Sequence, residues 1–429
     1  MSEKILRAVN KGLTGELTVP GDKSISHRSI ILGALANGTT TIENFLDGED
    51  CIRTIDAFRL MGVSIDQEGK KVTIKSQGKD GLKEPLQPIN LGNSGTTARL
   101  LIGLLSGLNM HTTLFGDASL TNRPMDRITD PLKEMGASID GRQNGKYLPI
   151  AIRGQRLNNV VFEPKVKSAQ VKSGVLLAGL TANGQTTVIE STKTRDHTEN
   201  MLKAFGGKIN VNGNEIVVDP IDSLKPTSIQ VPGDISSAAF FLVAASIVPG
   251  SKLTIKDVGL NPTRTGIIDS LKKMDASISV EKTKEIGGEI VGDVTVKYSN
   301  LKGATIEGDI IPSMIDEIPI LALMATQAKG KTIIKDAEEL RYKETDRIMT
   351  VVDTLKALGA HVEATQDGMI IEGPTPLKEA KVSSHGDHRI GMMIAVASLI
   401  ATGHVTLKDS DAINISYPGF FDHLDQLTQ

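Results

Sequence analysis

The stretch LGALANGTTTIENF (residues 32–45) runs from a small apolar segment through a glycine into a threonine-rich, alternating one. The same wording returns as GLLSGLNMHTTLFG (103–116), LLAGLTANGQTTVIE (176–190), VAASIVPGSKLTIKDV (243–258), LMATQAKGKTIIKDA (323–337) and VASLIATGHVTLKDS (396–410). The shared glycines are Gly38, Gly107, Gly184, Gly250, Gly330 and Gly403. They recur about every 70 residues, too long a period for a solenoid. Runs of Ala and Leu are good helix formers, and the glycine behind each is expected to supply a left-handed C-cap. The Thr-x-Ile alternation then predicts a half-buried strand. A second phrase follows most copies: FRLMGVSID (58–66), LKEMGASID (132–140), LKAFGGKIN (202–210), LKKMDASISV (271–280) and LKALGAHVE (355–363). It predicts an amphipathic helix with a C-cap, followed by two short strands. One unit is therefore helix–strand–helix–strand–strand, written six times.

Six such units divide as three plus three. The seam lies at QVPGDISS (230–237), and TVPGDKSIS (18–26) repeats its V-P-G-D-x-S wording. The near-duplication predicts that the chain crosses between two domains at both places. Residues 21–232 are expected to form one domain, and residues 1–20 plus 233–429 the other. A length of 429 residues suits two or three domains, each able to bury a core.

Composition excludes several classes. Lys plus Arg number 48 against 51 Asp plus Glu, so the net charge is 48 − 51 = −3, and only 3 % of residues are aromatic, with no Trp. Such a chain lacks the basic stripe and stacking platforms of a nucleic-acid binder. The single cysteine, Cys51, rules out an intramolecular disulfide and any cysteine-cluster metal site. No apolar run approaches the roughly 18 residues of a membrane span, and the amino terminus lacks the apolar core of a signal peptide. A cytoplasmic protein is expected.

The chemistry is written at the fronts of the six apolar helices: GDKSISHR, GNSGTTAR, KSAQVKSG, PGDISSAA, IDEIPILA and HGDHRIGM. Ser24, Ser94 and Ser236 read as N-caps. Lys23, Arg28, Arg99 and Arg389 do not, because a cation opposes the dipole of a first turn. An anionic ligand at these helix fronts removes the conflict. Further cations are Arg123 and Arg127 around a proline turn, and Arg195 at the start of an amphipathic helix. ELRYKETDRI adds Arg341, Lys343, Glu344 and Arg347, a charge run that also fits a solvated helix face. For Asp316 the alternative reading is an N-cap of the helix behind it.

Taken together, PGDKSISHR, LGNSGTTARLL, TNRPMDRI, KSAQVKSG, RYKETDRI and HGDHRIGM resemble the 5-enolpyruvylshikimate-3-phosphate synthase family of enolpyruvyl transferases. The motifs run in order from Pro20 to Met392, nearly the whole chain. The resemblance implies an α/β fold of two similar domains, each of three βαβαββ units (an inside-out α/β barrel), with an interdomain active-site cleft. It also implies transfer of the enolpyruvyl group of phosphoenolpyruvate to the 5-hydroxyl of shikimate 3-phosphate, releasing phosphate, with no metal or organic cofactor. Lys23 resembles the lysine that touches both substrates and is assigned to catalysis. Ser24, Arg28, Ser168, Gln170 and Arg195 resemble shikimate-phosphate contacts, while Asn93, Gly95 and Arg123 match the loop and the arginine that meet phosphoenolpyruvate. Arg347 and Arg389 would clamp its carboxylate, Lys343 would lie between the substrates, and Asp316 and Glu344 look like the acid–base pair. The first domain would be the shikimate 3-phosphate side, the second the phosphoenolpyruvate carboxylate side. A monomer without nucleic-acid or membrane partners is expected.

Departures and rivals are visible too. Ala169 stands where many members carry a second serine, and Lys408 is the substitute considered for a lysine that some relatives carry near Ile415. The enolpyruvyl transferase acting on UDP-N-acetylglucosamine is the nearest alternative, but it usually has a reactive loop cysteine, whereas Cys51 reads as a small core residue. A metal-dependent phosphatase built on His385, Asp387 and His388 is a different class.

Overall fold

A computed structural model describes residues 2–9 and 11–428. The chain forms two compact units: residues 21–231 with 286–288 make the first, and residues up to Pro20, 232–285 and 289 onward make the second.

In the first unit three apolar helices lie buried: α1 (Lys23–Leu35), α2 (Gly95–Ser106) and α3 (Ala169–Gly179). The second repeats the plan with α4 (Ile235–Ile247), α5 (Ile318–Ala325) and α6 (His388–Ser398). All residues of α4 are buried, which is how a helix apolar on every side must sit. Close packing of these helices needs missing side chains. A Cβ on Gly103 of α2 would come within 2.0 Å of the Gly174 carbonyl oxygen of α3. Sheets flank the helices, and their strands alternate. In Lys71–Gln77, for example, Val72 and Ile74 are buried while Lys71 and Lys75 are exposed.

Each of the first five apolar helices is followed by a strand, an amphipathic helix and a hairpin, whereas α6 is followed by the strand Thr402–Lys408 and the helix Phe420–Thr428, with no hairpin among the described residues. A short strand ahead of the apolar helix then pairs in parallel with the strand behind it, as Ile89–Asn90 does with His111–Phe115. The two VPGD segments exchange these strands. Ser228–Gln230 runs parallel to Asn37–Glu43 in the first unit, and Thr14–Thr18 runs parallel to Lys252–Gly259 in the second. The last sheet has three strands, because Glu3–Leu6 pairs antiparallel with Thr402–Lys408, beside Lys378–Ser383.

Two expectations about glycine and serine need correction. Of the six phrase glycines only Gly107 caps its helix, and it does so in the right-handed region, with φ −101°. Gly38, Gly250, Gly330 and Gly403 instead have positive φ at or near the start of the following strand. The left-handed C-caps belong to the amphipathic helices, at Gly62, Gly136, Gly206 and Gly359, with Asp275 (φ 62°) standing in for glycine in the fourth unit. Ser94 caps α2 as expected, but α1 and α4 are capped by Asp22 and Asp234, which leaves Ser24 and Ser236 inside the first turn. The carboxylate accepts from the Ile25 and Ser236 amides in the two cases, so a charge that complements the dipole holds the position.

Candidate functional site

In the first unit the fronts of α1, α2 and α3 are joined by side chains. Arg28, only 4 % exposed, donates from Nε to Thr198 Oγ1 (2.7 Å), from NH2 to Ser173 Oγ (2.7 Å) and from NH1 to the Ser24 carbonyl (3.0 Å). Lys23, at the start of the same helix, forms an ion pair with Asp50. Arg99 donates to Gln170 Oε1 (2.6 Å), and the Gln170 amide donates to Thr96 Oγ1 (2.9 Å), which ties α2 to α3. Asn93, just before the Ser94 cap, bridges Asp117 (2.6 Å) and the Arg123 guanidinium. Gly95 opens α2, and a Cβ there would stand 3.0 Å from Arg99 NH1 and 3.2 Å from Arg123 NH1. Ser168 occupies the N-cap of α3, but its side chain makes no capping bond. Arg195 is half-buried in the loop ahead of helix His197–Ala204. The sequence-predicted residues of this half therefore surround helix N-termini that are rich in cations.

In the second unit the cations are held by carboxylates. Asp316 precedes α5 without capping it; Glu317 holds that position. Asp316 Oδ1 lies 3.1 Å from Lys343 Nζ and 3.1 Å from Arg347 NH1, and Oδ2 lies 3.9 Å from Arg389 NH2. Arg347, 1 % exposed, grips Asp387 through Nε (2.8 Å) and NH2 (3.1 Å), and NH2 also meets Glu344 Oε2 at 2.5 Å. Burial pulls the Arg347 pKa down, but Asp387, Glu344 and Asp316 outweigh it and hold the pKa above its ordinary value. The segment read as a possible solvated face is thus a short 3-10 turn (Glu338–Tyr342) and the front of helix Arg347–Ala357, with Arg347 facing inward.

Several residues escaped the sequence reading. Asp387 entered it only as a metal ligand, yet both its oxygens accept from Arg347, and it caps α6 through the Arg389 amide (2.9 Å). The signal was present: a Gly-Asp pair opens α1, α4 and α6 alike. Among the described residues no group of three or more His, Cys, Asp or Glu is arranged to hold a metal ion. Cys51 is fully buried in helix Glu49–Leu60, as expected of a core residue. Lys408 sits opposite Glu3 in the sheet, where its charge, after Lys381, helps lower the Glu3 carboxyl pKa. Buried His27 is missed as well: desolvation, then Lys23 and Arg28, push its pKa well below the usual histidine value. No described helix is long and apolar enough to cross a membrane.

Residues 8–424 match the sequence profile of EPSP synthase (3-phosphoshikimate 1-carboxyvinyltransferase). A 3-phosphoshikimate 1-carboxyvinyltransferase of Bacillus pumilus is 56 % identical over 97 % of this chain and 98 % of its own length. That of Oceanobacillus iheyensis is 55 % identical over 100 % of both chains. Among solved structures, EPSP synthase from Acinetobacter baumannii superposes with a TM-score of 0.88 at 44 % identity, covering 100 % of this chain and 98 % of that one. The enolpyruvyl transferase NikO from Streptomyces tendae, at 18 % identity and a TM-score of 0.80 over 99 % of this chain and 97 % of its own, shares the fold.

Proposed function

The chain belongs to the EPSP synthase family, and from that premise we propose how its residues divide the reaction between them. The chain transfers the enolpyruvyl group of phosphoenolpyruvate to the 5-hydroxyl of shikimate 3-phosphate and releases phosphate, by addition and elimination through a tetrahedral intermediate. UDP-N-acetylglucosamine is not the favoured acceptor.

Residues 21–232 take shikimate 3-phosphate in this reading, and residues 1–20 with 233–429 take the phosphoenolpyruvate carboxylate. Ser24, Arg28, Ser168, Gln170 and Arg195 bind shikimate 3-phosphate, because hydroxyls and guanidinium forks match phosphate oxygens. Asn93, Gly95 and Arg123 meet the phosphate of phosphoenolpyruvate, and Gly95 lets backbone approach closely. Arg347 and Arg389 hold its carboxylate, and Lys23 and Lys343 serve both substrates. In the addition, the 5-hydroxyl oxygen bonds to C2 of phosphoenolpyruvate, loses its proton to a carboxylate, and the C3 methylene gains a proton. In the elimination C3 returns a proton, the double bond re-forms and the C2–O bond to phosphate breaks. Asp316 and Glu344 carry these protons, and the cations around them stabilise charge on the intermediate.

The observation that carries this reading is the placement of Asp316 beside Lys343, Arg347 and Arg389. Such a carboxylate sits where a reacting anion would be bound. Phosphate release should require phosphoenolpyruvate plus shikimate 3-phosphate; turnover with UDP-N-acetylglucosamine alone as acceptor would overturn the reading. Replacing Glu344 by Ala should remove turnover while most affinity for shikimate 3-phosphate survives. We also assign the enzyme to the cytoplasm as a monomer. Sedimentation at working concentration tests the second point, and cell fractionation the first.

A further inference from the structure

Behind the front of α3 lies a buried ionic cluster that the reaction does not use directly. Lys172, one turn after Ser168, is 1 % exposed, and its ammonium meets Glu190 Oε2 at 3.0 Å and Glu199 Oε1 at 2.7 Å. It also donates to the Thr194 carbonyl at 3.4 Å. The other oxygen of Glu190 accepts from the Thr194 amide (3.1 Å) and hydroxyl (2.5 Å), which closes residues 190–194 into a loop. Glu190 and Thr194 are buried too. Arg195 is the next residue. An ammonium in this position touches both ends of the loop and the helix behind it, so the loop cannot shift without breaking charge-assisted bonds that water does not replace.

We infer that Lys172 and Glu190 are positioning residues for Arg195: the pair clamps loop 190–194 to α3 and so fixes the arginine relative to Ser168 and Gln170 on that helix. The inference rests on the assignment of Arg195 to shikimate 3-phosphate. A cluster built only for stability would have no preference between substrates. A clamp acting through Arg195 affects one substrate and not the other.

Glu190→Gln is the sharpest probe, because the amide nitrogen must then point at either Lys172 or the Thr194 donors, and a donor faces a donor in both cases. The expected result is a KM for shikimate 3-phosphate raised about tenfold or more, as for displaced binding groups generally. The KM for phosphoenolpyruvate and kcat should stay within about twofold of wild type. In an Arg195→Ala background the same substitution should add nothing further, since the group it positions is gone. Thr194→Val, which deletes one anchor of the loop at nearly constant shape, repeats the test if Glu190→Gln does not fold. Equal rises in both KM values, an unchanged KM for shikimate 3-phosphate, or full additivity with Arg195→Ala would overturn the inference. If Arg195→Ala itself leaves that KM unchanged, the assignment of Arg195 fails first and the clamp falls with it.

Discussion

Arg28, within the apolar helix α1 of the first unit, and Arg347, at the front of the amphipathic helix Arg347–Ala357 of the second, are both almost wholly buried, and their partners differ. Arg28 donates to the hydroxyls of Thr198 and Ser173 and to the Ser24 carbonyl. Arg347 is met by the carboxylates of Asp387, Glu344 and Asp316. Neutral acceptors orient a guanidinium without cancelling its field, which suits the binding of a phosphate. Carboxylates cancel much of that field and leave acidic groups beside the cation, which suits proton transfer.

The strongest test of this contrast is Asp316→Asn, which removes one carboxylate from the second unit and leaves the first untouched. It should lower kcat by about a thousandfold, as for loss of a general acid or base, with affinity for shikimate 3-phosphate preserved within a few-fold. An equal fall in that affinity, measured by calorimetry, would break the division. Next comes a pair of denaturation experiments. Arg347→Met strands buried Asp387 and should cost about 3–5 kcal/mol. Arg28→Met takes the donor from Ser24, Ser173 and Thr198, of which Ser173 and Thr198 are bonded to each other at 2.7 Å, and should cost about 1–3 kcal/mol. Equal losses would show that the charge of the partners does not matter.

Two pH effects are smaller. Burial keeps His27 neutral in the folded chain, with its pKa depressed. Its contribution is therefore complete above the unfolded value near 6.5 and is lost as pH falls below that value, by at most about 1.4 kcal/mol per pH unit. His27→Asn should flatten the stability profile in that range, and an unchanged slope would count against a neutral His27. Glu199 shifts the other way: burial raises its pKa, with Lys172 opposing. Its stabilising contribution is complete below the unfolded value of about 4.3 and is lost as pH rises through the folded one. Glu199→Gln should accordingly gain on wild type as pH rises, and melting curves across the range would show whether it does.

The recurring phrases and both VPGD segments made the repeat legible, because helix and strand periodicities are local properties of a sequence. Glycine was harder. A phrase-ending Gly can cap a helix or open a strand, and only the backbone tells Gly38 from Gly62. The cations of the site were legible through their conflict with the helix dipole, but their partners were not. Lys172 stands in the quoted motif KSAQVKSG, yet its acids lie on a loop and a helix 18 and 27 residues further on. Asp387 was visible as a residue and misread as to role, since a cap and a metal ligand use the same carboxylate.

The exchanged strands have a consequence for how the chain is made. The first unit needs Ser228–Gln230 to finish its opening sheet, so that sheet can be completed once the segment has left the ribosome. The strand Thr14–Thr18 emerges among the first residues, but its partner, Lys252–Gly259, is more than two hundred residues away. At about 5–20 residues per second, that strand waits roughly 10–50 s for something to pair with. Of its five residues only Leu17 is buried in the finished sheet, and Glu16 is exposed. A segment so sparing of apolar side chains can stay in water through that interval without seeking another edge.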